Sequence, residues 1–348
     1  MGNRLGIAVL GCGYWGVNYV RIFTELPESR VVVACNPRQD RLQEVWRGFP
    51  GVQLTTEVEE ALQHPQVDAV VVCSQATTHY ELCRLSLLAG KHVLVEKPIT
   101  TNSADADALT ALAESLGLTL MVAHTFLYNP GVRKVKNYLQ RGQAGRIYYL
   151  YARRTNLGPI CRDVNALWDL APHDVAIFNH LLESAPQWVS AVGAKGLRNS
   201  HEDVGFICLG YLDGIIAHIH VSWADPNKSC ELTIVGSERR IVFNDSNGLE
   251  QVRVFETGVV PVESERSSYG EYEFCIRDGD ITSPSVEISE LLKNQCRHFL
   301  ECVADGSRPL SGGKEGGDVV RVLEGADRSL QCNGAPVQLY RSEQYEYK

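Results

Sequence analysis

Three residues of this chain have types and spacings that could do chemistry: Lys97 as a cation, and Asp169 with His173 as a proton-handling pair. Lys97 stands in KHVLVEKPITT (Lys91 to Thr101), where His92 to Val95 is apolar and β-branched enough to form a short buried strand. That strand delivers Glu96, Lys97 and Pro98 at its carboxyl end, the edge where open α/β sheets bind ligands. An ammonium there loses water and needs partners, and Pro98 biases the Lys97 backbone towards an extended conformation. One cation is thereby aimed into a crevice, although Glu96-Lys97 taken alone reads equally as a solvated charge pair. Asp169 and His173, four residues apart, share one helical face once the turn has formed. A carboxylate beside an imidazole orients the ring and favours its protonated form, which suits a group that takes up and releases a proton. The plainer alternative is a helix-start aspartate with a buried, hydrogen-bonded histidine.

The elements that must position Lys97 begin at the first residues. Leu5 to Leu10 is an apolar strand, followed by Gly11-Cys12-Gly13-Tyr14-Trp15-Gly16 and a helical pattern to about Leu26. Between a strand and a helix each glycine meets its own backbone demand. Gly11 permits the tight turn, Gly13 admits a pyrophosphate to the backbone, and Gly16 lets helix and strand pack closely. The helix start, with Tyr14 and Trp15, then faces the phosphates with its N–H groups. The second strand, Arg30 to Cys35, ends at Asn36, where an acid would accept bonds from the ribose hydroxyls of NAD. Asn36 is neutral, and Arg38 and Arg41 follow closely enough to hold a 2′-phosphate, so the coenzyme is NAD(H) or NADP(H), with a lean towards NADP or dual use. Asp68 to Ser74 is a continuous apolar strand, as in a parallel sheet covered on both faces. Ser74, Thr77 and His79 follow it, with Thr78 placed to cap the next helix. After the Lys97 strand come a helix over Ser103 to Leu116 and a strand over Leu118 to Ala123, leading to His124. Ser74, Thr77, His79, Glu96, Lys97 and His124 are the remaining candidate coenzyme contacts along this edge. Alternating β and α elements with short joints specify a doubly wound Rossmann sheet over residues 1–124.

From residue 125 the rhythm changes, and 125–348 reads as a second, α+β domain. A basic amphipathic helix, Val132 to Arg141, precedes a strand at Ile147 to Arg154, and a helix opens near Ala166 and runs to about Leu182. Six strand-like stretches between Trp188 and Phe255, free of helical patterning, predict an open, mostly antiparallel sheet. Helices over about Val286 to Val303 and Glu315 to Leu330, then a short strand near Val337, complete the pattern. The polar stretch 263–283 has no readable role. Tyr128, Arg154, Asn156 and Asn165 are candidates for substrate hydroxyls or phosphates, each equally open to a structural role, and Trp168 reads first as packing that could also wall the substrate site.

The totals exclude several classes. The chain has 348 residues, 44% hydrophobic and 22% charged, with a formal charge of −9, which argues against a nucleic-acid or anionic-membrane surface. No apolar run approaches the ~20 residues that span a bilayer, and the first residues pass directly into a strand and a glycine turn, so no signal peptide is expected. Eleven scattered cysteines without a C-x-x-C pair read as reduced thiols of a cytoplasmic protein, with no metal site expected.

Together and in this order, GCGYWG, Glu96-Lys97-Pro98 and Asp169-x-x-x-His173 resemble the glucose–fructose oxidoreductase/inositol dehydrogenase/rhizopine catabolism (Gfo/Idh/MocA) family over essentially the whole chain. The resemblance implies Lys97 as catalytic lysine, His173 as acid/base and Asp169 as its partner, with a Lys97–Pro98 peptide that is often cis. It implies a hydride exchange between nicotinamide and a ring hydroxyl or ketone of a sugar or cyclitol. HTFLYNP and LWDLAPHD are most similar to branches acting on nucleotide-linked or otherwise glycosylated sugars. Assembly as a homodimer or homotetramer through the broad face of the second sheet is implied in the same way. Two rival functions follow from other classes: an NAD-dependent glycoside hydrolase working by transient C3 oxidation, and a non-catalytic dinucleotide sensor.

Overall fold

A computed structural model describes residues 4–158, 160, 164–197, 201–261 and 274–340. In chain order the elements are β1 (Leu5–Leu10), α1 (Tyr14–Glu25), β2 (Ser29–Cys35), α2 (Gln39–Gly48), β3 (Gln53–Thr55), α3 (Val58–Gln63), β4 (Ala69–Val72), α4 (Ala76–Leu88), β5 (His92–Val95), α5 (Ser103–Leu116) and β6 (Leu120–Val122). There follow α6 (Pro130–Gln140), β7 (Ile147–Thr155), α7 (Ala166–Leu182), β8 (Trp188–Ala194), β9 (Val204–Gly210), β10 (Ile216–Ser222), β11 (Ser229–Gly236), β12 (Arg240–Asn244) and β13 (Val252–Phe255). The last are β14 (Gly258–Pro261), β15 (Phe274–Arg277), β16 (Ile281–Thr282), α8 (Leu291–Asp305), α9 (Gly313–Gln331) and β17 (Val337–Gln338). Two compact units result: Met1–Tyr128 with Ser289–Arg321, and Asn129–Ile288 with Val322–Lys348.

The first unit carries a six-stranded parallel sheet in the order β3-β2-β1-β4-β5-β6. Its central strands β1 and β4 are buried at every residue but Leu5 because both faces are covered, so sequence alternation is absent and apolar runs replace it. The strand order reverses between β1 and β4, the place where doubly wound sheets open a crevice at their carboxyl ends. α5 shows why the sequence reading of its bounds holds. The Asn102 side chain accepts the Asp105 N–H at 2.8 Å to start the helix, and Gly117, at φ 64°, ends it in the left-handed region. α8 differs from expectation, beginning at Leu291 rather than Val286. Ile288 is 92% exposed, so the apolar residues before Glu290 do not join the buried stripe of Leu292, Cys296, Phe299 and Leu300. Thr78 does not cap α4 with its side chain; Gln75 is the N-cap, and the Thr78 hydroxyl donates to the Gln75 carbonyl at 2.8 Å.

The second unit is built on a nine-stranded sheet in the order β16-β13-β12-β11-β7-β10-β9-β8-β17, antiparallel except where β7 meets β10. Along β7, Leu150, Ala152 and Arg154 are buried while Tyr149 and Arg153 are exposed, the period of two that a one-sided sheet requires. α7 packs on the inner face, which also holds Ile219, Ile207, Leu232 and Ile234. The outer face presents Tyr149, Val192, Phe206 and Ile216, all more than 40% exposed, with Phe206 stacked on His220 at 4.5 Å. Residues 263–273 of the stretch without a readable role lie outside the described residues; the rest of it holds β15 and β16. Among the described residues no helix is long and apolar enough to cross a membrane.

Candidate functional site

The glycine turn of the first unit has the geometry a diphosphate needs. Gly11 sits at φ +101°, and a Cβ there would lie 2.7 Å from the Cys73 backbone. A Cβ on Gly16 would come within 1.9 Å of the Gly11 carbonyl oxygen, so the approach of α1 to β1 depends on a bare α-carbon. Gly13 is different: it is the N-cap of α1 with no side-chain cap hydrogen bond, and nothing lies within 4 Å of where its Cβ would be. Open space over a helix N-terminus without acidic residues in its first turn suits an anion. Tyr14 and Trp15, the next two residues, are 78% and 51% exposed, with their rings edge to face.

At the end of β2, the Asn36 side-chain oxygen accepts the Arg38 N–H at 2.9 Å. Arg38 forms a two-bond pair with Asp40, and Arg41 reaches Glu44 at 3.3 Å; all four side chains are well exposed. Both arginines are thus available to a 2′-phosphate at little cost, since exposed pairs contribute no more than about 1 kcal/mol.

After β4 the Ser74 and Thr78 hydroxyls lie 2.7 Å apart, and Thr77 is exposed in the first turn of α4. His79 is buried. Its ring nitrogens lie 2.7 Å from the Pro98 carbonyl oxygen and 3.2 Å from that of Ser74, tying the β4 turn to the Lys97 turn. Burial pushes its pKa below the usual histidine value. The Lys97–Pro98 peptide is cis. Glu96 accepts the Tyr19 hydroxyl at 2.7 Å and the Lys97 N–H at 3.2 Å, and burial pushes its carboxyl up against the opposing effect of those partners. His124, following β6, is 2% exposed, and neither ring nitrogen has a hydrogen-bond partner among the described residues. Burial first, then the Lys97 charge, lowers its pKa to about 4, so it is a neutral imidazole beside a cation. A buried, unsatisfied imidazole at the crevice edge and a glycine cradle with room over Gly13 together fit a dinucleotide.

In the second unit Asn165 is the N-cap of α7, its side chain accepting the Trp168 N–H at 3.0 Å. Asp169 and His173 fall one turn apart on this helix, both half-buried, and the Trp223 indole N–H donates to Asp169 at 3.2 Å. The Trp168 indole N–H donates to Asp327 at 2.7 Å, and burial raises the Asp327 pKa. Asn156, half-buried after β7, leaves its side chain near Gly158.

Two of the sequence candidates for substrate contact are corrected. Arg154 is buried on the inner sheet face and bonded twice to Asp174 at 2.9 Å, a pair that holds β7 to α7. Tyr128 is a core residue of the first unit, its hydroxyl 3.0 Å from Ser311. Sequence reasoning missed Asp174, although the alternation along β7 already puts Arg154 inward, where a guanidinium requires an acid. It also missed Trp223 and Asp327, which come from distant elements with no local signal.

A doubly wound parallel sheet with an intact glycine turn, in a chain with a second unit on an open mixed sheet, defines the class of dinucleotide-binding proteins. Residues 5–124 match the family described as "Oxidoreductase family, NAD-binding Rossmann fold", and residues 132–242 match the GFO/IDH/MocA C-terminal domain. The chain belongs to the Gfo/Idh/MocA family of oxidoreductases with an NAD-binding Rossmann fold. Among its relatives, the uncharacterized oxidoreductase YdgJ of Escherichia coli K12 is 28% identical over 183 residues, and the chain spans about half of it (50% of this chain, 52% of the relative). UDP-N-acetylglucosamine 3-dehydrogenase of Acidithiobacillus ferrooxidans is 26% identical over 259 residues, 73% of this chain and 78% of that one. The structure of GenD2 from gentamicin A biosynthesis, in complex with NAD, shares the fold with a TM-score of 0.82 at 24% identity, over 98% of each chain.

Proposed function

We propose that the protein exchanges a hydride between nicotinamide and a ring hydroxyl or ketone of a nucleotide-linked or otherwise glycosylated sugar. The observation that carries this reading is Lys97 at the carboxyl end of β5, beside a buried neutral His124 and in the same sheet as the glycine cradle. The sugar class is supported by the relative that is a UDP-N-acetylglucosamine 3-dehydrogenase. Bound nicotinamide supplies the hydride acceptor or donor. Lys97 polarises the substrate oxygen and stabilises developing alkoxide character, and His173 takes the hydroxyl proton on oxidation or returns it on reduction. Asp169, held by Trp223, orients His173. A general acid/base of this kind contributes ~10²–10⁴-fold in rate. Asn156 remains a substrate-contact candidate; Asn165 and Trp168 act through the start of α7. NADP(H) is accommodated through Arg38 and Arg41 because Asn36 carries no charge to repel a phosphate. A homodimer or homotetramer formed on the outer sheet face would cover Tyr149, Val192, Phe206 and Ile216.

The test is turnover with a panel of UDP-sugars and glycosides, followed by NAD(P)H absorbance. Lys97→Ala should bind coenzyme and lose turnover by orders of magnitude, and His173→Ala should flatten one limb of the pH–rate profile. Turnover like wild type in Lys97→Ala would refute the role given to Lys97. Free sugar released without net coenzyme turnover would replace the reading with hydrolysis through transient oxidation. Coenzyme binding with no hydride transfer to any sugar would replace it with a sensor.

A further inference from the structure

A chain of hydrogen bonds, buried at its middle link, leads to the turn that carries Lys97. The Thr125 hydroxyl donates to the Gln295 side-chain oxygen at 2.8 Å, the Gln295 amide donates to the Tyr19 hydroxyl at 3.1 Å, and that hydroxyl donates to Glu96 at 2.7 Å. The second Glu96 oxygen accepts the Lys97 backbone N–H at 3.2 Å. All four residues behind Lys97 belong to the first unit, and Tyr19 and Gln295 are fully buried. The polarity follows from the donors available. A phenol that receives the amide N–H keeps its own proton for the carboxylate, whereas the reversed amide would draw that proton towards its own oxygen. No part of the hydride exchange uses Tyr19 or Gln295, yet two polar side chains from helices far apart in sequence are buried to reach one carboxylate. Burying them is expensive unless they are fully bonded, which marks the chain as a built network.

We infer that Tyr19 and Gln295 are positioning residues for Lys97, acting through Glu96: they fix the carboxylate against the Lys97 backbone and keep its negative charge near the ammonium. The catalytic part of this inference rests on the role proposed for Lys97; the hydrogen-bonded chain does not. Glu96 faces the Tyr19 phenol on α1, the Cys73 thiol after β4, the Cys296 thiol on α8, and Lys97. Burial pushes the phenol and both thiols up, so near neutral pH none of them competes for negative charge. Tyr19 thus supplies the bond that opposes burial of the Glu96 charge, and Gln295 holds Tyr19 in the donating orientation.

Two measurements on the full chain test this. Infrared titration follows the protonated carboxyl band of Glu96, identified by its loss in Glu96→Gln. In Tyr19→Phe the band should persist to higher pH than in wild type, and Gln295→Met, which keeps the phenol, should shift it in the same direction. An unchanged midpoint in both variants overturns the inference without substrate or coenzyme being involved. Turnover then supplies a double-mutant cycle. Tyr19→Phe should lower kcat about tenfold with KM unchanged, the scale of one hydrogen bond to a charged group, and have no further effect in the Glu96→Gln background. Equal losses in both backgrounds would make Tyr19 a packing residue. Should Lys97→Ala retain turnover, the proposed function falls and the infrared result still judges the network.

Discussion

Gly13 and Gly16 stand three residues apart in one turn, and the structure assigns them opposite failures. A methyl on Gly16 would sit 1.9 Å from the Gly11 carbonyl oxygen and 3.3 Å from the Cys73 sulfur, so α1 must move off β1 to accept it. Overpacking of this sort costs about 1–3 kcal/mol, which at 2–4 °C per kcal/mol for a unit of this size lowers the melting temperature by roughly 2–12 °C. A methyl on Gly13 meets nothing within 4 Å, and the residue's φ of −79° and ψ of −160° are open to alanine. Gly13→Ala should therefore melt within about 2 °C of wild type, the gain in chain stiffness and the loss of a good N-cap residue nearly cancelling at about 0.5–1 kcal/mol each. Its defect appears only with coenzyme, because the methyl occupies the space through which a diphosphate would approach the α1 N–H groups. A loss of tenfold or more in NADH affinity, about 1.4 kcal/mol, is expected by fluorescence titration. Scanning fluorimetry and titration on the two variants decide the matter. If Gly13→Ala binds NADH as wild type does, the phosphates lie elsewhere and the cradle has been misassigned.

Three further outcomes follow from the geometry. Arg154→Ala should destabilise the protein by about 3–5 kcal/mol by leaving Asp174 as an uncompensated buried charge, whereas Arg154→Met with Asp174→Leu should recover most of that loss; chemical denaturation of both variants checks it. His124 takes a proton only near pH 4 when folded but near 6.5 when unfolded, so stability is full above 6.5 and falls as pH drops to about 4. The fall is at most about 3 kcal/mol from this group, and His124→Asn should show a shallower acid limb in a melting-temperature profile. Asp40→Asn releases Arg38 from its pair and should tighten NADPH more than NADH, while Arg38→Ala should do the reverse; equal effects on the two coenzymes would remove Arg38 from 2′-phosphate recognition.

Much of the nucleotide unit is visible in the chain as written, because a buried parallel sheet has only one way to look: apolar runs such as Ala69–Val72 separated by helices with legible ends such as Asn102 and Gly117. Gly11, Gly13 and Gly16 were readable for the same reason, each answering a local backbone demand. Side-chain partnerships over long separations were not. Whether His79 faces a coenzyme or a carbonyl depends on where Pro98 lies, and whether Arg154 meets a substrate depends on Asp174. Residues 289–321 gave no sign of joining the first unit, since the pattern of α8 shows one apolar stripe and not what the stripe will cover.

That return of the chain has a consequence for how the protein is made. Phe299 packs edge to face on Phe23, Ser311 bonds to Val122 and Tyr128, and Gln295 meets Tyr19, so the first 128 residues emerge from the ribosome with part of their interior uncovered. About 160 residues must be translated before Ser289 arrives, roughly 10–30 s at cellular elongation rates. Throughout that interval the nascent α1 surface is a sticky, half-built face, so chaperone occupancy should concentrate there and fall once α8 has cleared the exit tunnel.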